Sequence, residues 1–192
     1  MMNLGGDERI YPASMTKIMT ALLAIENLPD LNETITVPED IFEELTAQDA
    51  SVAGFNPYEQ PTVRDLLYGV LLPSGADACE TLARAVGGSE EGFVAMMNQK
   101  AEELGLTNTH FENCTGLHND NHYSTCRDIA VLMSECLKSD TFREIVTREV
   151  YTTETTASHP EGITLYDTML HRFTSYEMST TLENGAVIEG GK

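Results

Sequence analysis

Apolar residues at Met15, Ile18, Met19, Leu22, Leu23 and Ile25 recur at three- and four-residue steps, which predicts an amphipathic helix that opens at Pro12-Ala13-Ser14 and ends before Pro29. Ser14 stands at its N-terminus. Ile35-Thr36-Val37 predicts a short strand. Farther on, Thr62 with Asp65 forms a capping box for a helix through Leu72, its apolar face being Val63, Leu66, Leu67, Val70 and Leu71. Pro73 ends it. A helix from Ala76 to Val86 follows, stopped by Gly87-Gly88, so two helices flank a tight Pro73-Ser74-Gly75 turn. Ser89 is expected to cap the next helix, with Phe93, Met96, Met97, Ala101 and Leu104 inward and Gly105 at its end. Thr125 with Asp128 opens another to about Leu137, and Thr141 to Arg148 a short one. From Glu149 the texture turns β-branched, in Val150-Tyr151-Thr152-Thr153, Ile163-Thr164-Leu165-Tyr166 and Ala186-Val187-Ile188. The expected architecture is a single domain over 1–192, with a helical lobe at about 14–148 and mainly strand and loop over 149–192.

Charge narrows the function classes. Eleven Lys and Arg against 31 Asp and Glu give a formal charge of −20, which speaks against a nucleic-acid partner. The residues from Ile18 to Val63 include nine acidic side chains and neither Lys nor Arg, read as a solvated face. The longest apolar runs are far shorter than the roughly 20 residues that span a bilayer, and Met1 to Asp7 has no signal-peptide pattern. Cys79, Cys114, Cys126 and Cys136 form no C-x-x-C pair and are expected as buried free thiols. The histidines at 110, 118, 122, 159 and 171 show no ligand spacing, so no metal is expected.

The chemistry-bearing pattern is Ser14-x-x-Lys17. Three residues apart at a helix start, the two side chains lie on one face, and a lysine can take the proton that a serine must lose to attack a carbonyl. The helix N-terminus adds amide donors beside the developing charge. Alone the pattern is weak, because 10 Ser and 4 Lys would meet at this spacing roughly 0.2 times by chance. Two further features accompany it. Ser74 sits on a turn that can present a hydroxyl into a cleft, and Lys192 follows a Gly190-Gly191 approach from a strand-like run.

In this order, Ser14-x-x-Lys17, Ser74-Gly75-Ala76 and the Gly-Gly-Lys192 ending resemble the S-x-x-K, S-D-N and K-T-G motifs of the penicillin-recognising serine enzymes. The resemblance is to the low-molecular-mass D-alanyl-D-alanine carboxypeptidases, the S11 peptidases. It is carried by Tyr11 to Thr20, Asp65 to Ala78, Phe111 to Leu117 and His122 to Asp128. It implies an α/β (α+β) fold of the β-lactamase/transpeptidase-like type, a helical lobe packed on an incomplete antiparallel sheet, and it implies no cofactor. It further implies that Ser14 attacks the carbonyl between two terminal D-alanines of a peptidoglycan stem peptide, that Lys17 accepts its proton, and that Ser74 relays a proton to the leaving amine. Lys192 would hold the substrate carboxylate and bias Lys17 toward its neutral form. β-Lactams would acylate Ser14, and the substrate places the protein outside the cytoplasmic membrane. Ala76 stands where the family motif has Asn, and the second oxyanion donor is expected from a strand beyond Lys192. The chain is therefore expected to be a piece of a longer exported enzyme, cut at both ends. Two alternatives remain open: a catalytically impaired penicillin-binding-like pseudoenzyme or cell-wall peptide-binding module, and a class A β-lactamase, for which no E-x-x-L-N-like segment is found between Ser74 and Lys192.

Overall fold

The computed structural model describes residues 5–168, 179–181 and 187–189. Along these run β1 (Arg9–Ile10), a 3-10 turn (Ala13–Thr16), α1 (Lys17–Asn27), α2 (Ile41–Ala47), α3 (Val63–Leu71), α4 (Ala76–Gly87) and α5 (Glu90–Glu103). They are followed by β2 (Ser124–Thr125), α6 (Cys126–Cys136), α7 (Asp140–Val146), β3 (Val150–Thr152), β4 (Thr164–Tyr166), β5 (Ser179–Thr181) and β6 (Val187–Glu189).

The predicted caps set the helix starts. Thr62 accepts from the Asp65 amide while Asp65 Oδ2 accepts from the Thr62 amide, completing the capping box of α3. Ser89 accepts from Gly92 N and Thr125 from Asp128 N, each satisfying an amide that the first helical turn leaves unpaired. At the other end of α4, Gly88 takes φ 75°, the left-handed conformation that glycine adopts without a Cβ penalty. Ser139, not foreseen as a cap, accepts from Phe142 N and starts α7 one residue earlier than expected.

Packing centres on α4, which lies against α1, α2, α3 and α5. Its run of Ala76, Ala78, Cys79, Leu82 and Ala83 is buried on nearly every side, and small residues let the neighbouring backbones approach. Gly69 on α3 belongs to the same contact, since a Cβ there would stand 3.1 Å from that of Ala78. Among the methionines on the predicted apolar faces, Met19 and Met97 are fully buried, whereas Met15 is exposed.

Asp65 also ties the strand region to the helices. Its Oδ1 accepts from Tyr151 Oη at 2.9 Å and from Glu154 N at 3.1 Å, and Tyr151 stacks on Tyr68 with ring centroids 3.7 Å apart. β3 and β4 pair antiparallel with Tyr151 opposite Leu165, β5 pairs antiparallel with β6, and β1 pairs with β2 across Arg9–Thr125 and Ile10–Ser124.

Four expectations are corrected. Residues 35–37 form no strand: Ile35 N and Val37 N donate to Pro61 O and Glu59 O, but Pro61 has no N–H to return, so the ladder stays broken. The acidic stretch contains a helix, α2, anchored by buried Ile41 and Leu45. The α-helix begins at Lys17, with Ser14 in the 3-10 turn before it. Cys126 is exposed at the first position of α6, while Cys79, Cys114 and Cys136 are buried; all four are free thiols.

Candidate active site

The 3-10 turn brings the serine and lysine together. Lys17 Nζ donates to Ser14 Oγ at 3.4 Å and to the Thr115 carbonyl at 2.7 Å, and Lys17 is only 6% exposed. The lysine side chain is thus buried, with Nζ beside the hydroxyl. Ser14, Lys17 and Ser74 all line one cavity of about 660 Å³, whose apolar wall includes Met15, Ile18, Met133 and Phe142. Lys192 lies outside the described residues, so its predicted role is untouched by the geometry.

Ser74 is held in an uncommon conformation. Its φ is 62°, and its Oγ is buried with no hydrogen-bond partner among the described residues. Leaving a buried hydroxyl unpaired costs about 1–3 kcal/mol, and a left-handed non-glycine residue adds to that, so the surrounding turn must enforce the position. It does so through Asp77. One carboxylate oxygen accepts from Ala53 N and Ala78 N, and the other from Gly54 N and Phe55 N, while Ala76 N donates to Ser51 O and Gly75 N to Gly69 O. Asp77 is completely buried and fully paired, which locks the loop 51–55 against the Ser74 turn.

The Lys17 cradle comes from the loop within Phe111 to Leu117, a block that carries the family resemblance but from which no site residue was drawn. Asn113 Oδ1 accepts from Gly116 N at 2.7 Å and from Thr115 N and Oγ1 at 3.3 Å, an Asx-type turn that aims the Thr115 carbonyl at Lys17. Thr20 Oγ1 donates to Cys114 O at 2.6 Å, pinning the loop to α1. The Asn113-x-Thr115-Gly116 string is a turn signal; its partner, 98 residues from Lys17 to Thr115, has no local signature.

His122 secures the other side of the turn. Its Nδ1 accepts from Glu112 N, so Nε2 carries the proton and donates to Thr16 Oγ1 at 2.7 Å. Burial lowers its pKa from 6.5 to about 4. The imidazole is therefore neutral in the folded protein where the unfolded chain would take up a proton. The associated stability is present above pH 6.5 and is lost as pH falls toward 4, by a total of about 3 kcal/mol. His122→Gln is expected to flatten this part of the profile. Denaturant titrations of both proteins from pH 7.5 to 4 measure it, and parallel curves would refute the assignment.

The architecture defines the class, a β-lactamase/transpeptidase-like fold, in which Ser14, Lys17 and Ser74 share one cavity. Its relatives agree. The wild-type Streptomyces K15 DD-transpeptidase is 33% identical, with a TM-score of 0.79 over 96% of this chain and 74% of that one. Penicillin-binding protein 6B of Escherichia coli superposes at a TM-score of 0.76, 26% identical, over 94% of this chain and 58% of that one. D-alanyl-D-alanine carboxypeptidase DacF of Bacillus subtilis is 41% identical over 155 residues, 80% of this chain and 40% of its own length. The family model of Peptidase_S11, D-alanyl-D-alanine carboxypeptidase, matches residues 1–178, and the chain belongs to that family. It spans 40% of DacF and 54% of the Streptomyces K15 carboxypeptidase.

Proposed function

We propose that this chain carries the acylation centre of a serine-type D-alanyl-D-alanine carboxypeptidase of the cell envelope. The observation that supports it is the Lys17 Nζ to Ser14 Oγ contact in a cavity shared with Ser74. Ser14 Oγ attacks the carbonyl carbon between the terminal D-alanines of a stem peptide, and its proton passes to Lys17 Nζ in the unprotonated state. The Ser14 amide at the turn start offers one donor to the oxyanion. Collapse expels D-alanine, whose amine takes a proton by way of Ser74. Water then hydrolyses the Ser14 ester and regenerates the hydroxyl. A β-lactam follows the first half of this course, with its ring amide as the acyl donor and no leaving group to diffuse away. Peptidoglycan as substrate places the site on the extracytoplasmic side; no helix among the described residues is long and apolar enough to cross a membrane.

Intact mass spectrometry after exposure to penicillin tests the nucleophile. The wild-type protein is expected to gain one penicilloyl mass, mapped to Ser14, and Ser14→Ala to gain none; the same adduct on Ser14→Ala would overturn the assignment.

A second reading rests on Ala76. Its side chain is buried and apolar at the point where the family motif has Asn, so one polar contact to substrate or to Lys17 is missing. A chain that is acylated yet releases no D-alanine from a D-Ala-D-Ala peptide would fit that impaired form, and rapid turnover of a chromogenic cephalosporin would instead indicate a β-lactamase.

A further inference from the structure

On the far side of the loop that cradles Lys17 lies a second cavity of about 650 Å³, between α2, α4, the start of α5 and residues 112–119. Glu80 and Glu90 line it, and Cys114 adjoins them. These three residues each place one ligating atom within 4.8 Å of the others. Cys114 Sγ donates to Glu80 Oε1 at 3.4 Å, and Cys114 N donates to Glu90 Oε1 at 3.2 Å. Cys114 is fully buried and Glu80 is 7% exposed.

Glu80 is left short of partners. Its Oε2 is buried and accepts no hydrogen bond among the described residues. Arg84 Nε stands 3.6 Å away, while the guanidinium makes its close contact, at 2.6 Å, with Asp40. Two carboxylates and a thiol thus converge beside a space large enough for water, with the Arg84 guanidinium at their edge.

We propose that Glu80, Glu90 and Cys114 form a binding site for a divalent cation of the zinc type. Tetrahedral zinc, with Zn–S near 2.3 Å and Zn–O near 2.0 Å, separates sulfur and oxygen ligands by about 3.5 Å, and the Cys114–Glu80 separation is 3.4 Å. The thiol selects against magnesium and calcium, which take oxygen ligands. As the metal–sulfur bond forms, the Cys114 proton leaves to solvent; the ion stays divalent and no electron is transferred. Water from the cavity completes the fourth position. The site also has a structural consequence. Cys114 lies between Asn113 and Thr115, so an ion there staples the loop that carries the Lys17 acceptor onto α4 and α5. None of this requires that Ser14 be the nucleophile.

Cobalt titration of the chelator-stripped protein tests the proposal. One equivalent of Co²⁺ is expected to produce a thiolate-to-metal charge-transfer absorption that Zn²⁺ removes, and saturating Zn²⁺ to raise Tm by roughly 5 °C. Cys114→Ser should abolish the band, Glu80→Gln and Glu90→Gln should each weaken binding at least tenfold, and Cys126→Ser, which removes the exposed thiol, should leave it intact. A wild-type protein without the band, a band that survives Cys114→Ser, or one lost with Cys126→Ser would overturn the site. Should Cys114→Ser not fold, unchanged affinity in both glutamine variants would do the same. Penicillin acylation of the chelator-stripped protein, read by intact mass, tests Ser14 without the ion, which keeps failure of the metal site distinct from failure of the catalytic reading.

Discussion

Lys17→Arg is expected to slow acylation of Ser14 by penicillin by about 10²- to 10⁴-fold, the range over which a positioned general base contributes. Arginine can still donate to the Thr115 carbonyl that Lys17 holds at 2.7 Å, so the cradle retains a cationic donor. What it cannot do is accept the Ser14 proton, because its guanidinium stays protonated in proteins. Lys17→Met removes both functions: the base is lost and the buried Thr115 carbonyl loses this donor, so that variant should also be less stable. Stopped-flow acylation with a fluorescent penicillin, alongside thermal melts, separates the two effects. An arginine variant that acylates at the wild-type rate would remove Lys17 from the proton path.

Gly116→Ala is expected to be the most damaging small substitution in the loop. Gly116 has φ 85°, and a Cβ there would stand 1.9 Å from Ala13 O, 2.4 Å from Ala13 C and 2.9 Å from Thr16 Oγ1. Two of these are backbone atoms, so relief requires the 3-10 turn to move away from the loop. The left-handed backbone alone costs an alanine about 1–2 kcal/mol, and the clash adds at least as much. A fall in Tm on the order of 10 °C follows for a chain of this size. The larger effect is catalytic. The turn that must shift carries Ser14, and a displacement of about 1 Å between reacting groups costs on the order of 10²-fold in rate. Melting curves and acylation rates on the same preparation check both. An alanine variant with wild-type Tm would show that the contact is not enforced in solution.

The elements that were legible in the sequence are those with local causes. Thr62, Ser89 and Thr125 cap where expected, because a cap needs only a side-chain oxygen and an amide two or three residues on. Gly88 ends α4 for an equally local reason. α2 was missed because its apolar signal, Ile41, Phe42 and Leu45, spans only about one turn within an acidic stretch, too short to stand out as a period. Residues 35–37 were misread as a strand since β-branched character says nothing about whether the partner can complete a ladder, and Pro61 cannot. Ser74 was placed on its turn by Pro73 and Gly75, but its positive φ and unpaired hydroxyl are imposed by Asp77, which binds a loop more than 20 residues earlier in the chain.

By itself, the sequence determined every described helix except α2, the caps at Thr62, Ser89 and Thr125, and the presence of a serine and a lysine three residues apart, all of which depend on neighbours within one or two turns. Only the tertiary structure decided that Lys17 takes the carbonyl of Thr115, 98 residues on, that His122 holds Thr16 from 106 residues away, and that Glu80 meets Cys114 across 34. Those meetings follow from how α1, α4 and the 113–116 loop close around a common core. Packing sets such separations, and no spacing along the chain encodes them.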